Sequence, residues 1–458
     1  MTMECLRSLY QTRWPTSRFE VVLVDNASKD DVIDRCMKEF PSVRIISSPV
    51  NTGFAGGCNL GIASKVDHIG HPLVDYEFVA LVNNDATVDC AWLDELNRVM
   101  ETNGQVGAVA AKILLSPRFS RISIIPEESD IDQPLFIGVS DLRINGVSQN
   151  ERFRFDETFL LESSLANSVE NQKYWTRYGG SIWIAETDGD QDVLGTIEVG
   201  VELIGNGSAR INSGLENVLI RSSDLNGQNT PIQQIAINVD RQSIDLMNSA
   251  GCELYKRGFG GDRGYQEPDH QQFDTSEEVF AWSGAGVLLR RSYLEDVGLF
   301  DNRLFLYYED FDLSWRGRLE GWRYFYAPRA VIHHRHAQTS VEGSELFRFF
   351  TARNRLLVLA KNAPLRIAVR AGGGEIWRLV KSFWVDVLIQ IKNRKSPRWK
   401  DVRRRSRVVR SYLFLLPNML YQRWTMERRV ARKRPMSWEK VKVSTPGFTE
   451  DDIAALRN

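Results

Sequence analysis

The chain has 458 residues, which is too long for one ordinary domain and favours about three folded units. Hydrophobic residues make up 43% and charged residues 26% of the composition, which excludes a disordered chain and a multispan membrane protein. The net charge of −1 hides a segregation of the two signs, because residues 118–243 are acidic whereas residues 392–434 are rich in Arg and Lys.

The cysteine pattern and the N-terminal sequence indicate the cellular compartment. Five cysteines form no Cys-x-x-Cys pair, which argues against a zinc ribbon or a disulfide framework and predicts a reducing, cytoplasmic compartment. The N-terminus has no apolar stretch, so we expect no signal peptide. The longest apolar run, around residues 383–391, contains Asp386 and is far shorter than the roughly 20 residues that span a bilayer. We expect no transmembrane helix.

Strand and helix signals alternate in the first part of the chain, residues 1–117. An apolar, β-branched run ends at Asp25 and is followed by turn residues and a helical pattern that continues to Phe40. Strand signals return at residues 43–47 and 76–82. This alternation predicts βαβ units, and therefore an α/β fold with a mostly parallel sheet.

The character of the sequence changes near Ser116. Gly, Asn, Ser and Asp become frequent, and short alternating runs predict strands throughout residues 118–243. We therefore expect an inserted β-rich domain, built as a β-sandwich or a β-roll. Mixed α/β patterns return over residues 244–345, and helical, basic segments fill residues 346–458.

Three polar clusters are candidates for chemistry. Asp85 follows a predicted strand, at the edge where open α/β sheets bind ligands, and is either a metal ligand or a turn residue. Glu309 and Asp310 interrupt an aromatic segment; either could accept a proton as a general base, or both could favour a helix N-terminus. Residues 331–336 contain three of the six histidines, which are metal ligands or surface residues.

The order of these motifs resembles glycosyltransferase family 2, in its rhamnosyltransferase-like branch. The resemblance covers roughly residues 1–117 and 245–345. Its motifs are Val-Val-Leu-Val-Asp25-Asn-Ala-Ser, Asn51-Thr-Gly-Phe-Ala-Gly-Gly-Cys-Asn59, Leu-Val-Asn-Asn-Asp85-Ala, Trp282-Ser-Gly-Ala-Gly, Val-Gly-Leu-Phe-Asp301, Tyr-Tyr-Glu-Asp310-Phe-Asp-Leu-Ser-Trp-Arg316 and His-His334-Arg-His336. It implies a GT-A-like (Rossmann-like) fold, interrupted by the β-rich insert.

The resemblance also implies roles for individual residues. Asp85 and His334 would hold Mn²⁺ or Mg²⁺ on a diphosphate, and Asp310, with Glu309 beside it, would supply the catalytic base. Asp25 would read the pyrimidine ring, and Trp282 and Gly284 would lie near the donor sugar or the acceptor. The full set of expected donor contacts is Asp25, Asn51, Gly53, Asn59, Asn83, Asn84, Asp85, Trp282 and Gly284.

The chain departs from the family pattern in two places. It opens inside the first helix, so the first strand of the sheet is expected to be missing. Asn83 stands where the commoner Asp-x-Asp motif has its first acid, which leaves one carboxylate fewer for a metal and an amide that can hydrogen-bond a ribose. We treat this substitution as typical of the branch.

These features predict an inverting, metal-dependent glycosyltransferase of cell-surface polysaccharide synthesis. The expected donor is a dTDP- or UDP-linked sugar, with rhamnose the best single guess, and the expected acceptor is a glycan or a lipid-linked sugar. The insert would bind a glycan or steer the acceptor, and no nucleic-acid partner is expected. The alternative is a non-catalytic carbohydrate-binding protein built on a truncated transferase core.

The C-terminal region combines apolar residues at helical spacing with many cations. Trp377, Val380 and Trp384 recur on one predicted helix face, and basic residues follow from Lys392 onward. One interpretation is that the apolar stripe packs on the core; the other is peripheral contact with an anionic membrane, at the inner face of the cell membrane.

Overall fold

The computed structural model describes residues 1–67, 70, 75–129, 135–156, 158–161, 173–187, 193–204, 207–222, 232–255, 258–335, 344–394 and 396–430. The chain divides into two compact units. Unit 1 consists of Met1–Leu114, Met247–Tyr265 and His270–Ser444, and unit 2 of Leu115–Leu246, Gln266–Asp269 and Thr445–Asn458. The C-terminal helices therefore belong to the same unit as the α/β core.

The first part of unit 1 alternates helices and strands, and begins with a helix as the sequence predicts. Its elements are α1 (Thr2–Tyr10), a 3-10 turn (Thr16–Arg18), β1 (Val22–Asn26), α2 (Val32–Glu39), β2 (Arg44–Ser48), α3 (Gly53–Ala63), β3 (Phe78–Val82), β4 (Ala86–Val88), α4 (Trp92–Met100) and β5 (Val106–Leu115).

Unit 2 is built from strands and one 3-10 turn (Asn150–Arg152) in its described part. The strands are β6 (Phe119–Ser129), β7 (Phe136–Ile144), β8 (Val147–Ser148), β9 (Phe153–Phe155), β10 (Leu160–Leu161), β11 (Tyr174–Thr176), β12 (Gly180–Ala185), β13 (Val193–Ile204), β14 (Gly207–Asn212), β15 (Asn217–Arg221) and β16 (Gln233–Asp240).

These strands form two sheets around one core. One sheet has the order β10-β11-β7-β13-β16, with β8 on β7, and the other has the order β15-β14-β6-β12-β9. Alternate residues of both sheets, such as Ile137 and Val199 on one and Ile124 and Ile182 on the other, meet in a single buried cluster. Unit 2 is thus a β-sandwich with a hydrophobic core of its own.

The remainder of unit 1 returns to mixed structure and ends in helices. Its elements are β17 (Met247–Ser249), β18 (Cys252–Tyr255), β19 (Phe259–Asp262), β20 (Gly286–Arg290), α5 (Arg291–Val297), α6 (Glu309–Glu320), β21 (Arg323–His334), α7 (Glu345–Asn362), α8 (Leu365–Ser382), a π-helical segment (Phe383–Ile389), α9 (Gln390–Lys392) and α10 (Trp399–Val430).

The α/β class is confirmed, but the expected mostly parallel sheet is wrong. β1 and β2 pair in parallel as a two-stranded sheet. The larger sheet has the order β3-β20-β5-β21-β4, with β17 on β5. Because β20 runs antiparallel to both of its neighbours, β21 runs antiparallel to β4 and β17 runs antiparallel to β5, antiparallel pairs predominate in this sheet. The antiparallel strands β20 and β21 come from the second half of the chain. The local sequence does not specify which strands they pair with.

The larger sheet is buried on both faces. Ala108 and Ala110 of β5 face one core, which α5 and α6 cover with residues such as Leu294 and Leu313. The alternate residue Val109 faces a second core that contains Trp92 and Leu96 of α4. Such double burial explains the uninterrupted apolar run of β5, and it leaves the strand ends as the place for polar side chains.

Among the described residues, no helix is both long enough and apolar enough to cross a membrane. The helix α7 instead packs into unit 1, where Leu356, Leu357 and Leu359 join a buried cluster with Phe311 and Trp315 of α6.

Candidate active site

Asp85 and His334 come together through strand pairing. Asp85 lies in the turn between β3 and β4, and His334 is the last residue of β21. Because β21 pairs with β4 so that His334 faces Ala86, the two side chains become neighbours, with 3.1 Å between Asp85 Oδ1 and His334 Nε2. Both residues are buried. The structure thus brings the two predicted metal ligands together.

Two amide side chains orient the His334 ring. Its Nδ1 lies 2.7 Å from Asn248 Oδ1, and its Nε2 lies 3.2 Å from Asn83 Nδ2. Since an amide oxygen only accepts hydrogen bonds, Nδ1 carries the proton, and a neutral ring then directs the lone pair of Nε2 toward the Asp85 carboxylate. His334 Nε2 and the Asp85 carboxylate are then two facing acceptors, and either a proton or a metal ion can bridge them.

The residues present fit a metal that takes its other ligands from a substrate. In the described ranges, no group of three or more His, Cys, Asp or Glu side chains is arranged to hold a metal ion. Mg²⁺ commonly keeps water and substrate phosphates and uses one or two protein carboxylates. A carboxylate and an imidazole, as at Asp85 and His334, suit Mn²⁺ as well. His336 lies outside the described residues.

Asp310 lies in the first turn of α6 and remains partly exposed. The backbone N–H of Gly284 donates to its Oδ2 over 3.0 Å, and the N–H of Phe311 donates to its Oδ1 over 2.7 Å. Burial raises the pKa of the Asp310 carboxyl above its ordinary value, while these backbone hydrogen bonds oppose the rise. Asp310 is therefore a fixed, partly exposed carboxylate with a raised pKa.

The neighbouring acids of α6 are enclosed. Burial, followed by the charge of Asp310, raises the pKa of Glu309 well above its ordinary value. The Glu309 Oε2 atom is buried and makes no hydrogen bond within the described structure. Asp312 is fully buried and paired with Arg316 at 2.9 Å and with Lys361 at 2.9 Å. Of the three acids, Asp310 has the access that a catalytic base needs.

A strained segment leads into α6. Phe305, Tyr307 and Tyr308 have φ angles of 65°, 68° and 68°, in the left-handed region that bulky residues rarely adopt. The fully buried Asn354 of α7 donates from Nδ2 to the carbonyl oxygens of Leu304, Leu306 and Tyr307, over 2.8, 2.8 and 2.7 Å. Strain of this kind persists only where the surrounding structure holds it.

The predicted nucleotide segment is anchored by a residue that the sequence did not single out. Asn26, at the end of β1, accepts from the N–H of Thr52 over 2.8 Å and donates to the carbonyl of Gly53 over 2.9 Å. Gly53 has a φ angle of 72°, and a Cβ there would meet the Phe305 carbonyl oxygen. The glycine is required, and the turn lies against the segment before Asp310.

Two of the other expected donor contacts, Asp25 and Asn51, make short-range hydrogen bonds. Asp25 Oδ1 accepts from the N–H of Ser28 over 3.0 Å, and Asn51 Oδ1 accepts from the N–H of Gly53 over 2.9 Å. Both bonds close local turns after β1 and before α3. Asn84, by contrast, donates to the Thr2 hydroxyl over 3.0 Å.

Two expected donor contacts, Asn59 and Trp282, are engaged within the protein. Asn59 donates from Nδ2 to the carbonyl of Phe300 over 2.8 Å and accepts from its N–H at Oδ1 over 3.0 Å, so its amide is engaged at both ends. Trp282 is 0% exposed and packs edge-on against Phe300, at 6.0 Å between ring centroids. Within the Trp282–Gly284 motif, Gly284 is therefore the residue that contacts Asp310, through its backbone N–H.

Asp262 is a further carboxylate of this region. Burial raises its pKa to about 6, and hydrogen bonds from Ser249 and Cys252 oppose the rise. The charge of Asp310 also raises the pKa of Asp262, and that of His334 lowers it. No local pattern marks Asp262, which lies among the glycines of residues 258–264.

Comparison with known families identifies the α/β unit. The profile of "Glycosyl transferase family 2" matches residues 2–124, and that of "Glycosyl transferase family group 2" matches residues 266–356. The two matches flank most of unit 2. The matched regions are those that the resemblance to glycosyltransferase family 2 covers, and the resemblance, in its rhamnosyltransferase-like branch, is confirmed.

The curated relatives match over a short stretch. The N-acetylglucosaminyl-diphospho-decaprenol L-rhamnosyltransferase of Mycobacterium tuberculosis (strain CDC 1551 / Oshkosh) is 43% identical over 67 residues, which are 14% of this chain and 22% of the relative. The same protein of strain ATCC 25618 / H37Rv matches equally. The aligned stretch thus spans about a fifth of each relative.

Several solved structures are distantly similar. GalNAc-T7 with UDP, GalNAc and Mn²⁺ is 12% identical, with a TM-score of 0.40 over 79% of this chain and 45% of that one. The mannosyltransferase PcManGT from Pyrobaculum calidifontis, with GDP-Man and Mn²⁺, is 12% identical, with a TM-score of 0.35 over 95% and 72%. S. aureus TarS 1-349 is 11% identical, with a TM-score of 0.34 over 94% and 86%.

Proposed function

We propose that the chain is an inverting, metal-dependent glycosyltransferase that moves a sugar from a nucleotide-diphosphate donor to an acceptor hydroxyl. The observation that carries the proposal is the contact of 3.1 Å between Asp85 and His334, within the same unit as the accessible Asp310. A buried carboxylate beside an imidazole suits a cation, and a separate carboxylate suits a base. A carbohydrate-binding module would need neither.

Asp85 and His334 would hold Mn²⁺ or Mg²⁺. The ion would neutralise the charge that develops on the departing nucleoside diphosphate. Asn248 would keep the His334 ring oriented, because a partner on Nδ1 fixes the tautomer and the direction of an imidazole that binds metal through Nε2.

Asp310 would act as the base. As the acceptor oxygen attacks the anomeric carbon, the hydroxyl proton passes to the Asp310 carboxylate, the new glycosidic bond forms, and the bond to the diphosphate breaks. One direct displacement inverts the anomeric configuration. The hydrogen bonds from Gly284 and Phe311 support this role because they fix the carboxylate in one position.

The donor would bind between the strand ends and the Gly53 turn. Asp25, Asn51, Gly53, Asn83 and Asn84 remain the proposed contacts to the nucleotide. The sugar is proposed to be rhamnose carried by a dTDP or UDP nucleotide, and the acceptor a glycan or a lipid-linked sugar of cell-surface polysaccharide synthesis. The rhamnosyl and decaprenol-linked chemistry in the name of the mycobacterial relatives supports this choice.

Donor binding tests the proposal directly. Titration calorimetry of the full chain with a panel of dTDP- and UDP-sugars, with Mn²⁺, with Mg²⁺ and after chelation, should reveal one donor whose binding requires the metal. Asp85→Ala and His334→Ala should each abolish metal-dependent binding. His333→Ala is the matched control, because His333 is the adjacent histidine and lies 3.4 Å from Asp89 at the surface. Wild-type affinity and metal dependence in both site variants would refute the metal assignment.

A further inference from the structure

The helix α8 and its continuation through residues 383–392 expose an apolar face. Their described buried residues are few, namely Ala368, Gly372, Glu375 and Val387. The outward positions carry large apolar side chains, with Trp377 at 68% and Trp384 at 60% exposure. The exposed apolar residues are Leu365, Val369, Ile376, Trp377, Val380, Phe383, Trp384, Val385, Leu388 and Ile391.

The spacing of these residues gathers them into one stripe. Steps of seven, four and three separate Val369, Ile376, Val380 and Phe383, so successive members lie above one another on the helix surface. Single exposed apolar side chains are ordinary, whereas a continuous apolar surface marks a site of interaction. The stripe, defined by the exposed apolar residues between 365 and 391, therefore calls for a partner.

The charges beside the stripe define the chemistry of that partner. Exposed cations flank it at Arg366, Arg370, Lys381 and Lys392. Of the acids between residues 365 and 394, Asp386 is partly buried, and Glu375 is buried and bound by Arg378 and Arg405 at 2.7 and 3.0 Å. The surface around the stripe is therefore positively charged.

The excess of cations extends along the helices that follow. Between residues 365 and 430 the sequence has seventeen Lys or Arg against four Asp or Glu. Each cation near an anionic leaflet contributes roughly 1 kcal/mol to binding. Exposed tryptophans are typical of the membrane–water interface, where the ring sits at the level of the headgroups. Apolar residues, tryptophans and cations together match an anionic lipid surface.

We propose that the stripe docks the protein on an anionic phospholipid membrane. The helix lies in the plane of the interface, Trp377 and Trp384 enter the headgroup region, and the flanking Arg and Lys side chains contact lipid phosphates. Docking of this kind requires no spanning helix. It also requires no donor or acceptor, so its test and the test of sugar transfer can succeed or fail separately.

Vesicle co-sedimentation of the full chain tests the proposal. The chain should sediment with vesicles that contain phosphatidylglycerol at low salt, less so at high salt, and poorly with phosphatidylcholine alone. The double variant Trp377→Ser/Trp384→Ser should bind at least about tenfold more weakly. Val147→Ser/Tyr178→Ser is the matched control, because these residues are 59% and 63% exposed but lie in unit 2. The control should bind like the wild type.

The alternative occupant of the stripe is a second copy of the chain. Gel filtration of the same proteins separates the two cases, and circular dichroism checks that each variant is folded. Val369→Ser/Val380→Ser provides a second test should the tryptophan variant fail to fold. The proposal is overturned if the wild-type chain stays in the supernatant with anionic vesicles, or if a folded stripe variant sediments as the wild type does. A wild-type dimer that the variants dissociate, without vesicle binding, overturns it as well.

Discussion

Asp310 is the residue whose chemistry the proposed reaction depends on most. Asp310→Asn keeps the shape of the side chain and removes its basicity, so donor binding should be nearly unchanged while turnover falls by about 10²- to 10⁴-fold. In the wild type, kcat/KM should fall as the pH drops through the pKa of Asp310, which lies above the ordinary value for aspartate. Steady-state kinetics across a pH series checks both expectations.

Glu309→Gln is the matched control for Asp310→Asn. Burial, followed by the charge of Asp310, raises the pKa of Glu309 and so favours its neutral form, and an amide of the same shape should leave turnover within about threefold of wild type. If Glu309→Gln were the inactive variant and Asp310→Asn the active one, the base would be misassigned. Asp312 is not a useful control, because its ion pairs with Arg316 and Lys361 make it structural.

Asn248 is expected to act through His334. Asn248→Ala removes the acceptor of the Nδ1 proton and should weaken Mn²⁺ affinity by about 10- to 100-fold, as loss of such a partner does in other metal sites. Asn248→Asp keeps an acceptor at this position and should restore binding. Electron paramagnetic resonance titration of Mn²⁺ in the presence of nucleotide measures the effect. Equal affinities for the Ala and Asp variants would exclude a positioning role.

The sequence pointed to some site residues and missed others for a physical reason. Asp85, Asp310 and His334 interrupt apolar surroundings at the ends of predicted elements, where polar side chains stand out. Asn248 and Asn26 are small amides whose roles arise from partners far along the chain, at His334 and at the Gly53 turn. No local pattern announces such long-range hydrogen bonds. Burial, which is equally non-local, separates Glu309 from Asp310.

At the scale of elements, α7 holds the segment that leads into α6. Asn354→Ala would remove the side-chain donor of the Leu306 and Tyr307 carbonyl oxygens, while the Leu304 carbonyl keeps its hydrogen bond from Arg353. Each buried acceptor left unsatisfied costs about 1–3 kcal/mol, although solvent can recover part of this. We expect a loss of about 2–4 kcal/mol in the free energy of unfolding, and lower turnover because Asp310 is less well fixed. Urea unfolding measures the first and steady-state kinetics the second.

Thr351→Ala is the control on the same helix. The Thr351 hydroxyl donates only to the Phe347 carbonyl one turn earlier, over 2.7 Å, so its removal should change stability by no more than about 0.5 kcal/mol. Equal destabilisation by Thr351→Ala and Asn354→Ala would mean that any polar deletion in α7 has the same effect. The special role of Asn354 would then be unsupported.

The elements themselves were predictable where patterns are local. Strands at 22–26 and 78–82, and the helix after Asp31, follow from apolar periodicity and turn residues. Strand direction in the larger sheet was not predictable, because β20 inserts between β3 and β5 from more than 150 residues away in sequence. Pairing of that kind depends on the burial of both faces of the sheet.

At the scale of the whole molecule, the chain is two units with separate cores. The sequence showed both boundaries of unit 2, at the composition change near Ser116 and at the return of mixed patterns near Asp245. A sandwich needs alternating strands and turn residues, whereas the α/β unit needs long apolar runs. The role of unit 2 was not visible, because recognition depends on surface side chains that follow no periodic pattern. Glycan binding or steering of the acceptor remains a prediction.

Removal of unit 2 tests that prediction, and the geometry of unit 1 supplies the design. Leu114 of β5 and Met247 of β17 are antiparallel partners, so a two-residue Asn-Gly turn can replace residues 115–246 and close a hairpin between them. The core of unit 2 is its own, so residues 115–246 expressed alone should show the circular dichroism of a β-protein. The shortened chain should fold and bind donor and Mn²⁺ within about threefold of the full chain, because the proposed donor contacts all lie in unit 1.

If unit 2 steers the acceptor, the KM for acceptor should rise at least about tenfold while the donor affinity stays the same, since only the acceptor loses contacts. Unchanged acceptor kinetics would remove the steering role, and a helical or disordered spectrum for the isolated unit would contradict its independent fold.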